Sequence, residues 1–371
     1  MNDNNKKYSA IHYANYLQIE KLLDCQAPRS KELGVEAHDE MLFIIVHQVY
    51  ELWFKQIIYE LRDVHHIFSQ TSIRERDVAV AVHRIDRINH IFKLLIDQIK
   101  VIETMTPLDF LDFRNYLFPA SGFQSFQFRE MEVLLGLKSA YRHTYNNTPY
   151  AEVFDANKKA ILEQLENGKS FHDLIQSWLE RIPFINLDGF SFLEEYKNAV
   201  TRMLEKEKEA ILSTDILSDT YKTMRLKMLG DTDSYFSNIW DENKHNEMMK
   251  EGTVRFSYKA TVAALFINLY RDEPILHMPF KLLGNLMDMD EMITTWRYRH
   301  AQMVLRMLGQ KIGTGGSSGH EYLAKTAERH HIFGDLHNIS TLLIPRSELP
   351  ELPPHVKKNL LFHFTVETGR F

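Results

Sequence analysis

The stretch WRYRHAQMVLRMLGQKIGTGGSSG, residues 296–319, changes character half-way along. Trp296, His300, Met303, Val304 and Met307 recur at helical spacing and share one face. Gly313, Gly315, Gly316 and Gly319 then leave the backbone free to approach a ligand closely. His300 is the candidate metal ligand on this otherwise apolar stripe. The same residues also read as a core helix with a satisfied histidine, followed by a C-cap and a turn. Within the stretch itself both readings stand.

Helical periodicity continues on either side. The 371 residues include 15 glycines and 11 prolines, roughly 3–4% each against averages of about 7% and 5%. Hairpin dipeptides are nearly absent, so the chain reads as all-α. A short amphipathic helix is predicted over 12–24, and a long one from Asp39 and Glu40 to about Ser69. Another covers 76–103, with Val78, Val82, Ile85, Ile88, Phe92 and Leu95 facing inward. Residues 122–137, 191–229, 257–271 and 284–311 are predicted helical, and 138–190 are shorter elements. The proline-rich tail over 351–371 is expected to be irregular. No repeat or low-complexity linker divides the chain. One large helical domain with a bundle-like core, residues 1–371, is expected.

Composition narrows the function classes. A net charge of -6 gives no basic excess to attract nucleic acid or anionic lipid. Cys25 is the only cysteine, so no disulfide forms within the chain, which fits a reducing cytosol. The start, MNDNNKKYSA, has no apolar signal region. No apolar run approaches the length of a bilayer crossing. A cytoplasmic protein is expected.

Residues 41–55, MLFIIVHQVYELWFK, place Phe43, His47, Tyr50 and Phe54 on one stripe. Residues 41–46 are apolar all round, which predicts full burial. A buried His47 needs a partner for its ring nitrogens, structural or ligand-donating. Arg114 follows Phe110 and Phe113 in LDFLDFR. An arginine among aromatics suits bidentate capture of a carboxylate; an ion pair with Asp109 or Asp112 is the plainer use. GTGGSSG lacks the Lys-Ser/Thr end of a phosphate loop. His320-Glu321 begins like a zinc-protease helix, but Ala324 takes the second histidine position. Glu242–His245 and Glu328–His331 are Glu-x-x-His pairs of the kind found in di-iron bundles. Cys25 has the chemistry of a haem thiolate ligand, but reads as an incidental cysteine.

Taken together, these stretches resemble the tryptophan 2,3-dioxygenases. The matching segments are YANYLQIEKLL, HDEMLFIIVHQVYELWFKQ, ETMTPLDFLDFRNYLFPASGFQSFQFRE, WRYRHAQMVLRMLG, GTGGSSG and ISTLLIPR, in family order from about residue 10 to 346. The resemblance implies an all-α homotetramer with one b-type haem per subunit, ferrous when active, held between long helices. It implies insertion of both atoms of O2 across the indole C2–C3 bond of L-tryptophan, giving N-formyl-L-kynurenine, the first step of the kynurenine route. His300 then corresponds to the iron ligand, and His47 to the distal histidine, with Phe43, Ile44, Ile45 and Val46 before it in the substrate segment. Arg114 corresponds to the carboxylate-binding arginine, Phe110 to a pocket wall and Thr314 to a contact with the substrate's ammonium and carboxylate. Ser121 and Trp296 would lie by the haem, and Tyr13, Tyr16 and Leu17 in a neighbouring subunit's indole pocket. Arg299, Leu305, Val46 and Val49 stand where relatives vary, and 351–371 match nothing in the family. The resemblance leaves two rivals: a haem enzyme of the same fold oxidising a modified indole or another aromatic, and a non-catalytic haem sensor.

Overall fold

The structure, a computed structural model, describes residues 10–142, 149–187, 189–237, 239–309, 311 and 319–361, and of Gly319, Glu321 and Tyr322 the backbone alone. It is all-α; the strands among the described residues are a two-residue pair, Asn186–Leu187 with Phe190–Ser191. Short helices α1 (Tyr13–Leu17), α2 (Ile19–Leu23) and α3 (Arg29–Glu32) lead into α4 (Glu40–Phe68) and α5 (Glu75–Ile102). The helix expected over 12–24 is broken at Gln18, whose φ of 52° is left-handed. Glu40 is fully buried and accepts the Arg29 and Ser30 amides, each at 2.8 Å. It thereby satisfies N–H groups that the first turn of α3 leaves unpaired.

Next come α6 (Pro107–Arg114), α7 (Phe126–Leu135), α8 (Ala156–Asn167) and α9 (Phe171–Leu179). The charged 191–229 segment forms two helices rather than one, α10 (Phe192–Ser213) and α11 (Asp219–Ser237). Between them Ser218 accepts the Tyr221 amide (3.4 Å), a local bond that competes with helix continuation. After α12 (Glu242–Lys250) and α13 (Tyr258–Leu269) comes α14 (Pro274–Leu308), 35 residues long. It starts ten residues before the predicted 284, because Pro274 sits at the permissive first position and the helix runs on through Pro279. Helices α15 (Gly319–Arg329), α16 (Gly334–Ile339) and α17 (Pro354–Leu360) follow. The last corrects the expected irregular tail: Pro354 starts a helix that buries Val356 and Leu360.

The main core is one buried cluster joining α4, α5, α9, α13, α14 and α16 through residues such as Ile57, Phe92, Ile175, Phe266, Leu286 and Leu336. Each such burial contributes about 1.5–3 kcal/mol. α14 lies along α5 and α15, and α4 packs on α5 and α7. A separate small cluster gathers Met105, Phe113 and Met307 with Phe43, Phe110 and Met303. It sits where α4, α6 and the end of α14 meet. The full burial expected for 41–46 does not hold within one chain: Met41 and Ile45 are 39% and 44% exposed. Helix α4 also has the length and mean hydropathy, 1.2, of a membrane span, which the sequence reading missed. Its Glu51 and Glu60 are bonded to partners in neighbouring elements.

Candidate active site

The first wall of the site comes from α4 and α6. The Phe43 and His47 rings stack one turn apart, with centroids 4.1 Å apart. Phe110 lies on Phe43 at 5.8 Å, and Phe113 backs both at 5.4–5.5 Å. His47 Nδ1 is 2.7 Å from the Phe43 carbonyl oxygen. That carbonyl can only accept, so the proton sits on Nδ1 and Nε2 presents a lone pair. Burial lowers the His47 pKa, against smaller upward pulls from that bond and from Glu51, so the ring is neutral. Thr106 starts α6 with a reciprocal cap: its amide donates to Asp109 (2.9 Å) and its hydroxyl accepts the Asp109 amide (3.3 Å). Asp109 is thus spent on the cap. Arg114 closes α6, half-buried behind Phe110 and Phe113.

The facing wall is α14. His300 stacks on Trp296 with the rings nearly parallel, 4° apart in tilt and 5.2 Å between centroids. Tyr50, Phe54 and Phe128 hold the indole on its other sides. Burial pushes the His300 pKa down to about 4, with a further push from His47, so the two imidazoles share one environment. The buried His300 ring makes no hydrogen bond among the described residues, and the Trp296 N–H lies by Tyr50. Buried polar groups are normally paired. A neutral imidazole with a free lone pair, close enough to couple to a second one and set beside aromatic rings, fits a protein ligand to haem iron. The residues therefore fit a haem. Two surface clefts, about 260 Å³ and about 740 Å³, lie elsewhere and include none of these side chains.

A family model described as tryptophan 2,3-dioxygenase matches residues 1–343. The chain belongs to the tryptophan 2,3-dioxygenase family. The tryptophan 2,3-dioxygenase of Bdellovibrio bacteriovorus is 47% identical over 96% of this chain and 100% of its own length. That of Alteromonas mediterranea is 45% identical over 96% and 99%, and that of Dictyostelium discoideum 45% over 96% and 89%.

Against the family's pattern, Phe43, His47 and Phe110 pack together where α4 meets α6, Arg114 closes α6, and on α14 His300 couples to His47 and stacks on Trp296. Ile44 is half-buried, Ile45 points outward, and Val46 is buried with its carbonyl taking the Gln98 amide (3.0 Å) from α5. Ser121 caps the turn before α7, accepting the Phe123 amide at 3.4 Å. Tyr13, Tyr16 and Leu17 are 72%, 71% and 42% exposed. Thr314 lies outside the described residues. The Glu-x-x-His pairs do not converge: His245 bonds to the Phe256 carbonyl (2.9 Å) and His331 to Asp290 (3.3 Å). No group of three or more metal-ligating side chains occurs among the described residues. The Cys25 thiol is exposed and donates to the Leu22 carbonyl (2.9 Å).

Sequence reasoning placed two contributors only on a shared helix face and missed two others. Met303 and Met307 join the small aromatic cluster, a role their helical spacing with His300 foreshadowed. Glu51, one turn after His47, holds Ser125 (2.6 Å) and Gln127 (2.8 Å) ahead of and within α7. Glu132 binds three arginines: Arg129 three residues earlier on α7, Arg142 after the helix, and Arg297 on α14, the last a pairing with no sequence signature.

Proposed function

We propose that the chain is a haem-dependent dioxygenase that inserts both atoms of O2 across the indole C2–C3 bond of L-tryptophan, giving N-formyl-L-kynurenine. Both oxygens enter the product, so no external electron donor is consumed. The observation that carries the reading is the pair of neutral imidazoles, His47 on α4 and His300 on α14, set among aromatic walls in a chain of this family. His300 would be the protein ligand to a b-type haem, with Trp296 and Ser121 beside the macrocycle. Bound ferrous haem would supply the activation of dioxygen.

The chain's own residues bind and orient. Phe43 and Phe110 present flat faces for the indole. His47 Nε2 accepts a hydrogen bond from the indole N–H. Its low basicity suits orientation rather than proton abstraction. The Arg114 guanidinium pairs bidentately with the substrate carboxylate, a geometry its planar fork favours. Thr314 is assigned to the point where carboxylate and ammonium meet. We further propose one domain, a cytoplasmic location and a homotetramer in which Tyr13, Tyr16 and Leu17 complete a neighbour's indole pocket; their exposure in the single chain supports the last point.

The deciding experiment compares His300→Ala with His47→Ala. The first should lose haem or hold it loosely, and the second should keep it, read from the Soret absorption of purified, haem-reconstituted protein. Equal haem retention with unchanged iron ligation in both would remove the assignment.

A further inference from the structure

Helix α14 carries two buried charges seven residues apart, Asp290 and Arg297, 1% and 3% exposed. Seven residues is close to two helical turns, so both lie on one face. Asp290 accepts the Ile332 amide at 2.8 Å, and its other oxygen is 3.3 Å from His331 Nδ1. Arg297 donates to the His330 carbonyl (2.8 Å) and to Glu132 Oε1 (2.7 Å). Glu132, on α7 and 1% exposed, takes Arg129 and Arg142 on its other oxygen at 2.7 and 2.6 Å. Burial alone would raise the Glu132 carboxyl, but Arg142, Arg129 and Arg297 together hold it well below the usual range, so it is ionised.

Such a cluster is a poor device for stability. Desolvating buried ions costs several kcal/mol each, and well-packed apolar residues of the same volume often do as well or better. What charged, directional bonds add is register. At one end of α7, Ser125 and Gln127 are tied to Glu51 on α4, one turn from His47. Towards the other, Glu132 is tied to Arg297 on α14, three residues before His300. Helix α7 therefore braces the two helices that carry the imidazoles. Three residues set His300 about 60° around α14 from Arg297. Turning α14 by about 10° would move a ring about 8 Å from the axis by about 1.4 Å. A misplacement of about 1 Å can cost on the order of 10²-fold in rate.

We propose that Glu132 is a positioning residue: through Arg297 it sets the rotation of α14, and so the direction in which the His300 imidazole is presented. The inference rests on the reading of His300 as the iron ligand. The test uses haem-loaded full-length protein carrying Glu132→Gln, Arg297→Lys or Arg142→Gln. The readouts are the ferrous iron–histidine stretching band by resonance Raman, thermal stability, and kcat and KM for L-tryptophan.

Glu132→Gln and Arg297→Lys should shift or broaden the band and lower kcat about 10–100-fold, while KM stays within about threefold because the substrate clamp is on α6. Arg142→Gln removes a guanidinium from Glu132 without touching α14. It should lower Tm yet leave the band and kcat alone. Should Glu132→Gln fail to fold, Arg297→Lys carries the test, since it keeps the charge. An unmoved band in the folded variants at Glu132 and Arg297 would overturn the inference alone. So would an equal shift in Arg142→Gln, which would make the cluster a general packing element. A wild-type spectrum with no iron–histidine band would instead overturn the His300 assignment, and this inference with it.

Discussion

At the residue scale, the chemistry turns on which polar atoms are left available. His47 spends Nδ1 on its own helix and keeps Nε2 for a ligand. Asp109 is occupied by the Thr106 cap. Removing one partner of a desolvated charge pair costs roughly 2–5 kcal/mol, a loss of about 30-fold to a few thousand-fold in kcat/KM. Arg114→Ala should therefore nearly abolish turnover of L-tryptophan at low substrate while leaving the haem spectrum intact. Arg114→Lys should recover little, because an ammonium cannot reproduce the fork. Indole, which lacks the amino-acid end, should be a poor substrate for the wild type and lose little more in the variant. Steady-state product formation for both substrates checks this; equal proportional losses would make Arg114 structural.

At the scale of elements, helix ends carry much of the specification. Gly136 closes α7 with φ +123°, a conformation L side chains rarely adopt, and an added Cβ would lie 2.9 Å from His172 Cβ. Backbone strain and overpacking cost about 1–3 kcal/mol each, so Gly136→Ala should destabilise by about 2–4 kcal/mol. Urea unfolding measures it; a loss under about 0.5 kcal/mol, the scale of a neutral surface change, would show that the α7–α9 contact can relax. The Thr106 cap is a milder case. Thr106→Ala should cost about 1 kcal/mol. Because α6 carries Phe110 and Arg114, it should also raise KM for tryptophan more than it lowers kcat.

At the scale of the whole molecule, burial of uncharged histidines links stability to pH. His172 and His330 are both pushed down to about 3, chiefly by burial and then by neighbouring arginines. Histidine in the unfolded chain titrates near 6.5. Between about pH 6 and 4 the unfolded state thus takes up protons that the folded state refuses, and stability falls by about 1.4 kcal/mol per pH unit for each group. His331 has the opposite sign: its bond to Asp290 raises it, so its contribution is complete below its unfolded pKa and is lost as pH rises through the raised value. Urea midpoints should drop steeply from pH 6 to 4. His172→Phe, a ring of similar shape stacked between Phe256 and Phe333, should remove about one proton's worth of that slope. A midpoint independent of pH over this range would contradict the account. Deleting residues 1–18 should impair tryptophan binding more than haem retention, because the exposed Tyr13, Tyr16 and Leu17 would serve a neighbour. A fully active monomer would rule that out.

The sequence by itself determined the fold class, the long helices and the residue types of the site. Apolar periodicity and scarce glycine and proline set local conformation, whereas His47, Arg114 and His300 each kept a plain structural reading until their segments were taken together. Helix ends were less legible. The break at Gln18, the loop between α10 and α11, and the helix after Pro353 each depend on a few local bonds or contacts that periodicity does not encode. Only the tertiary structure decided which neighbours share a wall, because Val46 and Ile45 differ by 100° around one helix and so face α5 and solvent while His47 faces the site. It also decided the Glu132 cluster. Its arginines lie 3, 10 and 165 positions away in the chain, and an interaction across that separation exists only once α7 and α14 have packed.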